Sequence, residues 1–224
     1  MTLLHEALKR CTELVNQALL EVFNPKLGSP LYEAAYHLLK AGGKRLRPFL
    51  TLQSSLAVGG SEDDAMPAAL AIELLHNFTL VHDDIIDKDE VRRGVPTVHT
   101  KWGTEVAIIA GDLLFAKAYE ALLMLDKSKI EYDRIVRALK LLTWGSITVA
   151  EGQTLDIEFE KRFDVKEEEY LEMIEKKTAA LFMVSTGIGA TIGGGSENDI
   201  QALMDYAKYM GIAFQIRDDI LGLI

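Results

Sequence analysis

Apolar residues recur with the period of an α-helix along nearly the whole chain, and this pattern restricts the fold more than any other feature. We find no convincing run of alternating strand residues, no Asn-Gly hairpin and no repeat of fixed period. Of the 224 residues, 49% are hydrophobic and 26% are charged, which excludes a disordered or collagen-like chain. The sequence therefore predicts an all-α helical bundle with one sizeable core.

Several long helices are expected. Ser61 and Asp64 have the spacing of a capping box, which predicts the start of one of them. The predicted helices run over residues 1–23, from Ser61 to Asp87, from Gly111 to Leu125, from Asp133 to Ile157, from Val165 to Ile192, and from near Ser196 to the chain end.

Charge and cysteine content indicate where such a chain works. The net charge of −10 opposes non-specific attraction to nucleic acid or to an anionic membrane. Cys11 is the single cysteine and cannot form an internal disulfide, which fits a cytoplasmic location. The uncharged stretch 178–196 has the length of a membrane span but contains five glycines. We therefore expect a buried helix there and no transmembrane segment. The N-terminal residues have no basic region followed by an apolar one, so we also expect no signal peptide.

An acidic cluster closes the helix that starts near Ser61. Asp83 and Asp87 lie one helical turn apart with Asp84 beside them, and His76 is on nearly the same face two turns earlier. Three neighbouring carboxylates repel one another unless a cation joins them, and oxygen ligands suit Mg²⁺. The alternative is a solvated acidic helix end, which the helix dipole disfavours at a C-terminus.

A second pair of carboxylates stands near the chain end. Gln215, Asp218, Asp219 and Gly222 share one helical face. Two acidic faces could border a shared cavity that holds more than one divalent ion around a diphosphate. A surface ion pair with Arg217 explains this second pair equally well.

Two basic segments complement the acids. Lys44, Arg45 and Arg47 follow a Gly-Gly pair, and Arg92 and Arg93 come shortly after the first acidic cluster. Glycines permit close backbone approach, and these cations suit phosphate oxygens. They could instead form plain ion pairs with the carboxylates.

Two more polar groups lie on apolar helices. Gln153 and Asp156 have the spacing of a hydrogen-bonded pair in a core. Lys177 precedes an apolar run and could be a lysine that extends its amine to solvent at a helix end.

The combination of motifs resembles the trans-isoprenyl diphosphate synthases of the polyprenyl synthetase family. The motifs are GGKRLRP, HDDIID followed by RRG, GDLLFAKA, EGQTLD, KTAALF and FQIRDD, and they occur in family order. The resemblance implies an isoprenoid-synthase-type helical bundle around a central cavity, usually a homodimer. It also implies a Mg²⁺-dependent prenyltransferase that joins isopentenyl diphosphate head to tail to an allylic diphosphate.

Roles for individual residues follow from the resemblance by motif position. The implied catalytic residues are Asp83, Asp84, Asp87, Lys177 and Asp218. The implied ligands of more than one Mg²⁺ ion are Asp83, Asp87, Asp218 and Asp219. The implied contacts of the allylic diphosphate are Arg92, Lys177, Thr178 and Gln215. The implied contacts of isopentenyl diphosphate are Lys44, Arg47, His76 and Arg93.

Product length depends, in this family, on side-chain bulk before the first acidic cluster. A large Phe78 and a small Thr79 resemble archaeal-type geranylgeranyl diphosphate synthases, which implies a C20 product. The alternatives are a farnesyl (C15) diphosphate synthase, a non-catalytic diphosphate-binding or partner subunit, and a terpene cyclase or head-to-head enzyme on the same fold. The last would not need both GGKRLRP and RRG.

The sequence departs from the family pattern in two places. Gly222 stands where an aspartate is usual at the fifth position of the second acidic motif. Family members also continue for several helices, so we expect residues 1–224 to be a single polyprenyl synthetase domain that lacks its C-terminal helices.

Overall fold

The structure is a computed structural model that describes residues 3–222, apart from the side chain of Pro25. The outermost residues of the first and last predicted helices, 1–2 and 223–224, lie outside the described residues. The elements are α1 (Leu3–Phe23), a 3₁₀ turn (Asn24–Lys26), α2 (Pro30–Lys40), α3 (Leu46–Ala57), α4 (Glu62–Ile86), β1 (Val91–Arg92), β2 (Val95–Pro96), α5 (Val98–Trp102), α6 (Thr104–Leu123), α7 (Tyr132–Phe159), α8 (Glu167–Ile174), a π-helical segment (Glu175–Ala179), α9 (Ala180–Gly193) and α10 (Glu197–Gly222).

The all-α prediction is confirmed, because β1 and β2 are the only strands within residues 3–222. α4 begins at the predicted capping box, where Ser61 Oγ accepts a hydrogen bond from the Asp64 N–H (3.1 Å). α6 begins at Thr104, seven residues before the predicted Gly111. Its first two turns are rich in β-branched and apolar residues, which hide the helical period. α2, α3 and α5 lie outside the predicted segments.

The described residues form two compact units. Unit 1 contains residues 3–49 and Met66–Met124, and unit 2 contains Leu50–Ala65 and residues 125–222. The divisions between the units fall inside α3 and α4.

Unit 1 buries the apolar stripe of its first helix. Cys11, Val15, Leu19 and Phe23 recur every fourth residue on α1 and are at most 5% exposed. The Phe23 ring stacks on Tyr36 of α2 with centroids 5.2 Å apart, and α2 packs in turn against α5 and α6. A spacing of four residues keeps these side chains on one face, which explains why α1 packs by that face.

Unit 2 is built around α9, which is buried along nearly its whole length between α7 and α10. α9 ends at Gly193, and Gly194 adopts the left-handed conformation (φ 88°) that ends many helices. The predicted buried helix with a glycine stop is therefore confirmed. None of the helices within residues 3–222 is both long enough and apolar enough to cross a membrane.

Candidate diphosphate and metal site

In unit 1, the first acidic cluster occupies the C-terminal end of α4. Asp84 is fully buried, Asp83 is half-buried and Asp87 is exposed just beyond the helix. Arg92 Nε donates to Asp84 Oδ1, and Arg92 Nη2 donates to Asp89 (3.1 Å). Burial raises the pKa of Asp84, and the Arg92 guanidinium opposes that shift. Of the two interpretations of Arg92, the ion pair is the one formed in this structure.

Whether this cluster suits Mg²⁺ depends on which of its carboxylates are positioned to serve as metal ligands. Within residues 3–222, no group of three or more His, Cys, Asp or Glu side chains is arranged to hold a metal ion. Asp84 faces Arg92, so the pair that shares a face without it is Asp83 and Asp87. Mg²⁺ commonly takes one or two carboxylates and completes its shell with water and substrate phosphate. The two aspartates fit that mode and do not fit a preformed cage.

The loop between α2 and α3 carries a basic side chain that is structural. Arg45 has a positive φ of 48° and is 3% exposed. Its guanidinium donates to Glu73 Oε1 (2.5 Å), to Asn16 Oδ1 (2.8 Å) and to the Leu39 carbonyl (2.6 Å). Sequence reasoning gave Arg45 no separate role, because nothing in GGKRLRP distinguishes the arginine that points inward.

The second basic segment forms a tight hairpin between β1 and β2. Arg93 and Gly94 occupy its turn with φ of 53° and 76°, the signs of a type I′ turn. The sequence did not reveal it, because Arg-Gly replaces the usual Asn-Gly. Arg93 Nη1 donates to the carbonyls of Leu38 (3.0 Å) and Gly42. The hairpin therefore holds Arg93 against the Gly-Gly loop and brings the two basic segments together.

Arg47 and His76 meet beside these segments. Arg47 Nη1 lies 3.3 Å from His76 Nε2, which accepts the hydrogen bond because a guanidinium can only donate. Burial lowers the pKa of Arg47 to about 10, with Arg93 adding repulsion. Burial and the nearby arginines lower the pKa of His76 well below its usual range, so the imidazole is neutral at pH 7. Lys44, the fourth expected contact of isopentenyl diphosphate, is exposed.

In unit 2, the second acidic motif belongs to a chain of hydrogen bonds. Thr178 Oγ1 donates to Gln215 Oε1 (2.7 Å), and Gln215 Nε2 donates to Asp219 Oδ1 (2.8 Å). The Tyr170 hydroxyl donates to the other oxygen of Asp219 (2.5 Å), and burial together with Asp219 raises the pKa of Tyr170 to about 12. Both aspartates of this pair are exposed, but the two oxygens of Asp219 accept these hydrogen bonds, which leaves Asp218 as the carboxylate better placed for an external ligand.

Two expectations for this motif are now resolved within residues 3–222. The i, i+4 bond from Gln215 to Asp219 confirms that these side chains share a face. The suggested surface ion pair between Arg217 and the two aspartates does not occur among these residues. The sequence did not reveal Tyr170, because one tyrosine after the acidic start of α8 gives no indication of a partner on α10.

Lys177 lies in the π-helical segment that interrupts the predicted helix from Val165 to Ile192. Its amine pairs with Asp156 on α7. The suggested hydrogen bond between Gln153 and Asp156 is therefore wrong, because Asp156 turns to the lysine. The amide atoms of Gln153 are buried with no hydrogen-bond partner in the described part of the chain. The suggestion that Lys177 extends to solvent at a helix end is also wrong.

The residues expected to set product length lie on α4 in unit 1. The Phe78 ring meets His82 edge to face at 4.7 Å and Phe115 of α6 at 5.2 Å. The Thr79 hydroxyl donates to the His76 carbonyl one turn back (2.8 Å). Sequence reasoning found Phe78 and Thr79 but missed Phe115, which belongs to the GDLLFAKA motif.

These helices and side chains define an all-α protein of the isoprenoid-synthase type. A family model described as polyprenyl synthetase matches residues 29–224. The chain belongs to the polyprenyl synthetase family.

Individual relatives agree with this membership. The chain is 53% identical to a geranylgeranyl diphosphate synthase of Sulfolobus acidocaldarius over 86% of its own length and 58% of the relative. It is 44% identical to a geranylgeranyl diphosphate synthase of Methanosarcina mazei over 100% of its length and 68% of the relative. A solved geranylgeranyl pyrophosphate synthetase of Geoglobus acetivorans superposes with a TM-score of 0.92 at 49% identity, covering 96% of this chain and 69% of that one. The chain thus spans less than two thirds of the Sulfolobus protein.

Proposed function

We propose that the protein is a prenyltransferase that joins isopentenyl diphosphate head to tail to an allylic diphosphate. The observation that carries the proposal is the division of charge along α4. His76, with Arg47 and Arg93 around it, lies seven residues before Asp83, about 10 Å along the helix axis. One face thus offers a cationic site and, two turns on, a pair of carboxylates. Two diphosphates, one of them bound through a metal, match that division.

The cationic site is proposed to bind isopentenyl diphosphate. Lys44, Arg47 and Arg93 supply positive charge, and His76 stays neutral because burial, together with the nearby arginines, lowers its pKa. A neutral imidazole that accepts from Arg47 leaves its other nitrogen as a donor for a phosphate oxygen. The site therefore carries donors only, as an anion requires.

Asp83 and Asp87 are proposed to hold Mg²⁺, and Asp218 is proposed to hold a further ion with Asp219 in support. When bound, Mg²⁺ would neutralise charge on the departing diphosphate. Asp219 is held by hydrogen bonds from Tyr170 and Gln215, so its main role would be to orient the motif and not to supply metal-binding oxygens.

The allylic diphosphate is proposed to meet Arg92, Lys177, Thr178 and Gln215. The carbon–oxygen bond of the allylic group breaks, and the diphosphate leaves with the bonding electrons. The isopentenyl double bond attacks the allylic cation, and a proton is then lost from the new chain. The task of the side chains is to hold both reactants in reach of each other and to keep water out.

The proposed product is geranylgeranyl diphosphate (C20). The edge-to-face contacts of Phe78 with His82 and Phe115 give that side chain a fixed position on α4, one turn or so before Asp83. An aromatic ring held in that position can block further elongation of the prenyl chain. Two relatives that are 53% and 44% identical are named geranylgeranyl diphosphate synthases, which supports the same length. A homodimer and a cytoplasmic location are proposed on the resemblance and the composition alone.

The proposal is tested by a condensation assay with Mg²⁺, labelled isopentenyl diphosphate and farnesyl diphosphate, with product length read after dephosphorylation. We expect a C20 alcohol from the wild type and a loss of turnover of at least about 100-fold in Asp83→Asn and in Arg47→Met. Asp63→Asn, an exposed acid at the start of the same helix, is the matched control and should keep full turnover.

Failure of the wild type to condense the two substrates would contradict the proposal. If both diphosphates still bound, a non-catalytic diphosphate-binding subunit would be the better description. Conversion of the allylic diphosphate without isopentenyl diphosphate would indicate a terpene cyclase.

A further inference from the structure

In unit 2, two glycines allow neighbouring helices to touch the backbone of the π-helical segment. A Cβ on Gly152 of α7 would lie 2.2 Å from the Lys177 nitrogen and 2.6 Å from its Cα. A Cβ on Gly211 of α10 would lie 2.6 Å from the Cα of Ala179. Both glycines are buried. No side chain larger than hydrogen fits at either place unless the backbone of the segment moves.

The same two helices provide the polar partners of the segment. Lys177 pairs with Asp156, which follows Gly152 by one helical turn on α7. Thr178 donates to Gln215, which follows Gly211 by one turn on α10. Residues four apart lie on one helical face. Each flanking helix therefore presents the segment with a glycine and, one turn later, a hydrogen-bonding side chain.

The polar contacts of the π-helical segment depend on close packing of the two flanking helices. A π segment inserts an extra residue into a helix, and such segments are rare and occur often at functional sites. Here α8 and α9 are joined through this segment, and two of its polar side chains, Lys177 and Thr178, reach partners on opposite flanking helices. Each bond requires its own helix to approach closely, and a methyl group on either glycine would prevent that approach.

We propose that Gly152 and Gly211 are positioning residues that set the location of Lys177 and Thr178 for the allylic diphosphate. This inference rests on the proposed function for its substrate and on the packing of unit 2 for its geometry. Neither glycine touches a reacting atom. Each acts through the backbone of the π-helical segment.

The size of the effect follows from the distances. Ordinary contact of a Cβ begins near 3.4 Å, so alanine at position 152 would displace the segment by about 1 Å. The atoms in the way belong to the backbone and cannot rotate aside as a side chain can. A displacement of about 1 Å at a catalytic group can cost about 100-fold in rate. We expect Gly152→Ala to weaken binding of the allylic diphosphate by at least about tenfold.

The chain offers two matched controls. Gly145 lies on α7 two turns before Gly152, and its Cβ would meet Val184 Cγ2 at 2.5 Å, which is a side-chain atom. Gly187 on α9 would meet the flexible end of Met204 at 2.9 Å. Gly145→Ala and Gly187→Ala introduce the same methyl group in the same unit without touching the π-helical segment.

The first experiment measures the dissociation constants of farnesyl diphosphate and of isopentenyl diphosphate separately, by titration calorimetry with Mg²⁺. We expect Gly152→Ala and Gly211→Ala to weaken farnesyl diphosphate binding while the constant for isopentenyl diphosphate stays within about twofold. Gly145→Ala and Gly187→Ala should change neither constant. Equal weakening of both ligands, or wild-type affinity in Gly152→Ala, would overturn the positioning role.

The second experiment needs no substrate and uses a double-mutant cycle on thermal unfolding. Lys177→Met should lower the midpoint in the wild type and in Gly145→Ala by the same amount, because the pair with Asp156 persists in both. In Gly152→Ala the same change should have little further effect, since the pair is already broken. If Lys177→Met cost as much in Gly152→Ala as in the wild type, the inference would be refuted. If the wild type bound no farnesyl diphosphate, the proposed function would fail, and the cycle would still decide the packing.

Discussion

The buried ion pair of Arg45 with Glu73 gives a prediction whose size can be worked out from the structure. Their side chains are 0% and 3% exposed, so neither charge is solvated once its partner is removed. Arg45→Met keeps most of the apolar stem and deletes three hydrogen bonds, to Glu73, Asn16 and the Leu39 carbonyl. Breaking a buried pair from one side costs about 3–5 kcal/mol. Asn77 still donates to Glu73 (2.9 Å), so we expect the free energy of unfolding to fall by the lower value, about 3 kcal/mol.

The assay is equilibrium unfolding at pH 7, by urea and by heat, followed by circular dichroism. For a chain of this size, a loss of about 3 kcal/mol lowers the midpoint of thermal unfolding by about 6–12 °C. Lys44→Met, one residue earlier and exposed, should change the free energy of unfolding by less than about 0.5 kcal/mol. The double variant Arg45→Met/Glu73→Leu should lose less than the single one, because no charge remains buried. A loss below about 1 kcal/mol in Arg45→Met would refute the reasoning.

Three further predictions follow from other contacts. Phe78→Ala should yield products longer than C20 in the condensation assay, because its ring contacts with His82 and Phe115 disappear, and an unchanged product would remove Phe78 from that role. The lowered pKa of His76 means that below about pH 6.5 the unfolded chain takes up a proton that the folded protein excludes. The free energy of unfolding should thus fall as the pH drops, by at most about 1.4 kcal/mol per pH unit from this group, and His76→Gln should reduce that slope. Tyr170→Phe removes the hydrogen bond to Asp219, so it should lower the free energy of unfolding by about 1 kcal/mol and weaken Mg²⁺ binding at the second acidic motif. Denaturation and Mg²⁺ titration measure the two effects, and wild-type values in both would show that the bond is unimportant.

The long helices could be predicted because they depend on a local pattern, although the shorter α2, α3 and α5 were not. The stretch 178–196 lacks charge and ends in three glycines, which suffices to predict the buried α9 and its stop at Gly193. The family resemblance implied that residues of GGKRLRP and RRG contact the same diphosphate. The structure brings Arg93 against the Gly-Gly loop.

What could not be predicted depends on which partner a side chain chooses. Asp156 has the right spacing for Gln153 in a regular helix, yet it pairs with Lys177 on another element. The π-helical segment leaves no periodic signal, because one inserted residue shifts the phase without changing composition. Arg45 and Arg47 are both arginines in one motif, and only tertiary packing assigns one to Glu73 and the other to His76.

The measurement that tests the central claim most directly is the binding of farnesyl diphosphate with and without Mg²⁺, compared with the binding of isopentenyl diphosphate. If Asp83 and Asp87 carry the metal and the arginines carry the second diphosphate, Mg²⁺ should tighten farnesyl diphosphate binding in the wild type. Asp83→Asn/Asp87→Asn should lose that effect while isopentenyl diphosphate binding persists, and the control Asp63→Asn should behave as wild type. Farnesyl diphosphate affinity that is independent of Mg²⁺ in the wild type, or that Mg²⁺ tightens to the wild-type extent in Asp83→Asn/Asp87→Asn, would contradict the account.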